Sequence, residues 1–124
     1  MELSHEQKNL YRAIAELAYA IAKADKTLEE AEIEAFENAV REELEVDEWL
    51  AEIHFKILRT SIKPDLESAY NHSMFLIKNN QKGLTPELVA KFQRILQKVA
   101  NVAGVSNEEQ AILDRFNQDI KKFL

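Results

Sequence analysis

The chain has 124 residues, 31% of them charged, a net charge of −6 and no cysteine. That length suits a single domain, residues 1–124, large enough to bury roughly two thirds of its unfolded surface. The absence of thiols excludes a disulfide framework, a thiolate metal site and a cysteine nucleophile, and the acidic balance argues against nucleic-acid binding.

The elements follow in chain order. Ser4 with Gln7 has capping-box spacing and opens a helix over about 5–24. Its inward stripe reads Leu10, Ala13, Ile14, Leu17, Ala18, Ile21 and Ala24. A second helix is predicted from about Leu28 to Glu43, with Ile33, Phe36 and Val40 inward. Asp47 is placed to cap a third over about 48–61, with Trp49, Leu50, Ile53, Ile57 and Leu58 as its stripe and Phe55 off it. Apolar nearly all round, this third helix is expected to meet little water. Pro64 suits the first turn of a fourth helix, carrying Leu66, Ala69, Tyr70, Met74 and Ile77, which Asn79, Asn80 and Gly83 close. Thr85-Pro86-Glu87 starts a fifth, with Leu88, Val89, Phe92, Ile95, Leu96, Val99 and Val102 inward, and Gly104 ends it. Ser106 with Glu109 is a second capping box, opening a last helix with Leu113, Phe116, Ile120 and Phe123. No segment alternates with period two. The expectation is an all-α domain of about six helices.

One pattern occurs twice. Residues 17–36 read LAYAIAKADKTLEEAEIEAF, and residues 96–116 read LQKVANVAGVSNEEQAILDRF. Aligned at the turn, Leu28 matches Val105, Glu29 matches Ser106, Glu32 matches Glu109 and Phe36 matches Leu113. Each copy is a helix–turn–helix hairpin with an apolar plug at its turn and acids at the start of the next helix, where free N–H groups and the helix dipole favour them.

On these residues the chain resembles the TerB-like family. This is the tellurite-resistance domain, found also at the N-terminus of a membrane-linked J-domain co-chaperone. The family hallmark is a helix ending in Ala-Asp-Gly, then a variable residue, an apolar residue, a polar pair and a Glu. The first copy here reads Ala24-Asp25-Lys26-Thr27-Leu28 with Glu32; the second reads Ala103-Gly104-Val105-Ser106 with Glu109. Lys26 stands where the family has glycine, and Ala103 where it has aspartate. The resemblance implies an all-helical bundle of bacterial origin and a non-enzymatic interaction role in stress response or complex assembly. It also implies an acidic, metal-binding surface. With the second aspartate lost, the carry-over is limited to Asp25, Glu32 and Glu109, as ligands of a weakly held divalent cation. The competing reading is that these acids only cap helices.

The residues themselves offer no reaction. The acidic cluster of Asp25, Glu29, Glu30 and Glu32 fails the EF-hand pattern, because Glu30 stands where its glycine belongs and Phe36 where its last ligand belongs. His5, His54 and His72 form no zinc-binding pair, and His54 and His72 read as partly buried or surface imidazoles rather than ligands or bases. Carboxylates are many, with none expected in an apolar stretch that would tune it for acid–base work. No serine sits in a nucleophile elbow and no glycine-rich phosphate loop occurs. An enzyme would require a concave site with convergent polar groups. No cofactor beyond a weak divalent cation is expected.

Charge is uneven along the chain. Residues 1–53 hold 15 acids and 5 bases, a balance of −10, and residues 54–124 hold 7 acids and 11 bases, a balance of +4. The stretch Glu42, Glu43, Glu45, Asp47 and Glu48 is either a solvated turn or a patch for a basic partner. Lys91, Arg94 and Lys98 make a basic strip on the fifth helix, either its wet face, with a Glu87–Lys91 pair, or a strip that meets another copy's acids. Phe55 and Phe75 are either core or an exposed patch for a protein partner or homodimer. Apolar runs of a few residues exclude direct membrane insertion. The opening MELSHEQKNLYRA lacks a basic-then-apolar signal, so a cytoplasmic location is expected.

Overall fold

A computed structural model describes residues 3–24, 30–44 and 46–124. Six α-helices follow one another: α1 His5–Lys23, α2 Glu30–Glu43, α3 Trp49–Ile57, α4 Leu66–Asn79, α5 Pro86–Ala100 and α6 Asn107–Asp119. Among the described residues there is no strand. Among the described residues no helix is long and apolar enough to cross a membrane.

The strongest local signals act as their chemistry requires. Ser4 Oγ accepts from the Gln7 N–H, and Gln7 Oε1 accepts from the Ser4 N–H, so α1 begins where two orphan donors are satisfied at once. The same box forms between Ser106 and Glu109 at α6. Thr85 Oγ1 accepts from the Leu88 N–H, with Pro86 at the first helical position of α5. Two expected starts are corrected. Asp47 does not cap α3: its φ of 52° turns the chain instead, and Glu48 at the cap makes no side-chain capping bond. At α4 the cap is Asp65, whose carboxylate accepts from the Ser68 N–H at 2.7 Å, one residue after Pro64.

α1 is the axis of the molecule. From Leu10 to Ala22 only Arg12 is exposed, and α3, α4, α5 and α6 all pack on this helix. Five alanines in that stretch (13, 15, 18, 20 and 22) keep its surface thin, so that neighbours approach closely. The helix enclosed on every side is therefore α1, not α3 as the sequence pattern suggests. α2 lies on α5, and the rings of Phe36 and Phe55 stack at 4.4 Å to join α2 to α3. Phe55 is buried, and of the two candidate aromatics only Phe75 is exposed.

α3 is turned over relative to its expected face. Ala51 and Phe55 are its buried residues, while Trp49 is 50% exposed, Ile53 49% and Ile57 41%; of the expected stripe, Leu58, just beyond the helix, is buried as expected. Two apolar faces competed for the core, and the one with the small Ala51 and the flat Phe55 ring fits against α1 and Phe36. Val102, expected inward, is also exposed, because α5 ends at Ala100 and a tighter turn carries the next residues away.

Beyond Ile57 the helix widens into a π-type turn, Leu58–Ile62. It ends at Lys63, left-handed with φ 48°, whose N–H donates to the Leu58 carbonyl at 2.7 Å. A left-handed lysine costs on the order of 1 kcal/mol, and the turn it closes swings the chain back toward α4. Gly83, between α4 and α5, sits where an added Cβ would lie 3.0 Å from the Glu6 Cβ, so a larger residue there would have to push the connection and the start of α1 apart by a few tenths of an ångström.

Candidate functional site

The turn acids come first. Asp25 lies outside the described residues. Glu32 is buried in the first turn of α2. Glu109 is buried in the first turn of α6, where its Oε1 accepts from the Ser106 N–H at 3.0 Å. At Glu109, then, the carboxylate is engaged in capping. Among the described residues, no group of three or more His, Asp or Glu side chains is arranged to hold a metal ion.

The acidic stretch and the basic strip meet within the chain. Arg94 donates to Glu43 Oε1 at 3.0 Å, and the Lys98 ammonium reaches Glu42 at 2.8 Å and Glu43 at 3.1 Å. The guanidinium of Arg94 holds the Glu43 carboxyl below the usual carboxylate range, against the opposing pull of burial. Lys91 pairs with Glu87 at 3.8 Å. This strip therefore clamps α2 to α5. A second tie joins α4 to α6: the Tyr70 hydroxyl donates to Asp119 at 2.7 Å, and Arg115 lies 3.9 Å over the Tyr70 ring while bonding Glu67. Burial, with the Asp119 carboxylate, pushes the Tyr70 phenol well up.

Sequence reasoning missed one arrangement. Glu16 is only 3% exposed, on the middle of α1. Both its oxygens bond Nδ1 of His72 on α4, with Oε2 at 2.7 Å. Nε2 of His54, on α3, lies 3.6 Å from Oε1. That nitrogen is sealed from solvent and makes no hydrogen bond among the described residues. The three side chains come from three helices, and all three border a half-open cleft between α3 and α4. Leu58 and Ile62 of the π-type turn, Pro64, and Ser68 and Ala69 of α4 complete its lining, and its volume is about 290 Å³. The surface open to the cleft is almost wholly apolar.

The expectation that no carboxylate lies in an apolar stretch is thus corrected. Glu16 sits inside AIAELAYAIA, ten residues with no other charge. A carboxylate so placed is costly unless hydrogen-bonded, and the fold meets that demand with an imidazole. The signal was the isolated acid in that run. The spacing of His54 and His72 gave no sign of it, because each is 38 or more residues from Glu16 and they converge only through packing. The cleft is concave, but the surface it opens is almost wholly apolar, because the Glu16 carboxylate and His54 Nε2 lie beneath it.

A third feature is the outward face of α3. Trp49, Ile53 and Ile57 recur every four residues and so form one exposed apolar stripe. Alongside it, Glu48, Glu52, Lys56 and Arg59 follow at intervals of four, four and three, acids toward the N-terminus and bases toward the C-terminus. Glu52 is joined to Arg41 at 2.8 Å. Beyond α3, Ile62 and Phe75 are further exposed apolar side chains.

No family model, no curated protein and no solved structure matches this chain.

Proposed function

We propose that this protein is a non-enzymatic, TerB-like interaction module, serving a bacterial stress response or the assembly of a larger complex, and that it pairs with a second copy of itself through α3. The TerB-like part rests on the likeness of the two turns; the interaction role and the pairing rest on the Trp49–Ile53–Ile57 stripe. Large apolar side chains aligned on one helix face and left half in water mark an interaction surface rather than scattered exposure. The row of charges beside the stripe favours a second copy as occupant. In an antiparallel pair related by a two-fold axis near Ile53, Trp49 of one copy lies opposite Ile57 of the other. Glu48 then falls near Arg59, and Glu52 near Lys56. An isologous contact of this kind is self-complementary, and its charges set orientation more than affinity.

The cleft supports holding a molecule more than transforming one. The chain has no cysteine, and Ser68 at the cleft is hydrogen-bonded to Asp65, the cap of its own helix.

Sedimentation equilibrium tests the pairing. The wild type is expected to approach twice its 14.3 kDa mass as concentration rises, and Ile53→Asp, at the centre of the stripe, to remain at the single-chain mass. A wild type that stays monomeric at millimolar concentration and low salt overturns the self-pairing.

A further inference from the structure

The exposed stripe of α3 and the cleft lie side by side. His54 and Leu58 line the cleft. Helical residues advance by about 100° each, so the row Leu50–His54–Leu58 runs directly beside the row Trp49–Ile53–Ile57. More apolar side chains stand in water around the mouth. Ile62, part of the lining, is 58% exposed. On α4 the exposed Phe75 ring stacks on His72 at 6.0 Å, which places it next to the cleft. The stripe is thus one border of a wider apolar surface with a hollow in it.

We infer, resting on the α3 pairing proposed above, that each copy seats its Trp49 in the cleft of the other. Helix pairs lay the i±4 ridge of one helix into the groove beside the i±4 ridge of the other. On the cleft side of α3 that groove runs between the two rows, and Leu58 belongs both to its edge and to the hollow. In the antiparallel pair the partner's Trp49 lies opposite Ile57. A helical side chain leans toward the N-terminus of its own helix, and here that lean carries the indole past Ile57 toward Leu58 and Ile62. The ring then meets the hydrocarbon of Leu58, Ile62, Pro64 and Ala69. The Glu16 carboxylate and His54 Nε2 stay beneath that surface and take no part.

Size and area favour this occupant. A hollow of about 290 Å³ has the volume of about ten water molecules, room for an indole. Specific protein pairs bury at least about 1,200 Å². α3 has only nine residues, and its three half-exposed side chains supply a fraction of that area. An enclosed aromatic side chain buries about 150–250 Å², and the two-fold axis seats two of them. Tryptophan in a pocket is also a frequent anchor of interfaces. The charge row Glu48, Glu52, Lys56 and Arg59 holds the two helices antiparallel, the orientation the seating requires.

Isotope-filtered NMR on a mixture of labelled and unlabelled chains tests the seating, with sedimentation of the same sample. The expected result is a set of NOE cross-peaks from the indole protons of the unlabelled copy to the labelled methyl groups of Leu58, Ile62 and Ala69. Trp49 is the only tryptophan, so its emission is expected to move to shorter wavelength in step with dimer formation. Ser68→Phe fills the hollow from an exposed position on α4, off the stripe. It is expected to leave the helical content unchanged and to weaken the dimer by at least about tenfold. A dimer that lacks the cross-peaks, or that places the partner's Phe75 in the hollow instead, overturns the seating and leaves the α3 pairing standing. So does a Ser68→Phe dimer as tight as the wild type. A chain that stays monomeric overturns both readings.

Discussion

Glu109 and Glu16 are both almost wholly buried carboxylates, yet they relate to the fold in opposite ways. Glu109 closes a local circuit: its partner is the backbone three residues before it. Removing it exposes the first turn of α6 to an unsatisfied N–H, so Glu109→Ala is expected to cost about 0.5–2 kcal/mol in chemical denaturation. An unchanged midpoint would say that the box contributes nothing to α6. Glu16 has no local partner. It depends on His72, 56 residues away, and stands near His54. The difference explains what could be read in advance. Capping boxes at Ser4 and Ser106 are written in the spacing of adjacent residues. The Glu16 cluster exists only where three helices converge, and no spacing rule connects positions 16, 54 and 72.

At the scale of the element, α3 teaches the most. Its sequence WLAEIHFKI is apolar on two faces, and periodicity alone cannot choose between them. The stripe of Trp49, Ile53 and Ile57 looks inward by size, but Ala51 and Phe55 win because they fit. A small residue lets α3 approach α1, and the Phe55 ring finds Phe36. By contrast α5 presents one apolar face and one charged face, and its stripe from Val89 to Val99 is buried as expected, with Leu88 partly so. Truncation separates the two faces of α3. Phe55→Ala is expected to cost about 3–5 kcal/mol, as loss of a buried ring does. Ile57→Ala, on the exposed side, should stay within about 1 kcal/mol in the monomer. Equal costs at the two positions would mean that the helix is not turned as described.

For the whole molecule, the clamp of Glu42 and Glu43 with Arg94 and Lys98 joins the acidic first half of the chain to the basic second half. The helical spacing of Lys91, Arg94 and Lys98 was legible, but their partners were not, because the two rows meet only once α2 lies across α5. The clamp makes stability depend on acid. Glu43 has its folded value lowered, chiefly by the Arg94 hydrogen bond. Its contribution is therefore complete above the ordinary glutamate value of about 4.3 and disappears as pH falls through the lower folded value. Thermal melts of wild type and Glu43→Gln across this range should show the wild type higher at neutral pH, with the gap closing toward acid. A gap that stays constant with pH would separate the clamp from ionisation.

The enclosure of α1 also bears on how the chain leaves the ribosome. The segment that ends up covered on all sides is made before most of its cover, because α4, α5 and α6 follow it only after residue 65. Until then the helix most deeply buried in the folded protein lacks most of its cover. The excess of ten negative charges over residues 1–53 travels with it. Like charges repel, so nascent copies are kept apart during the interval in which the helix could stick to its neighbours. The bases that neutralise part of that excess, Arg94 and Lys98, arrive with the cover.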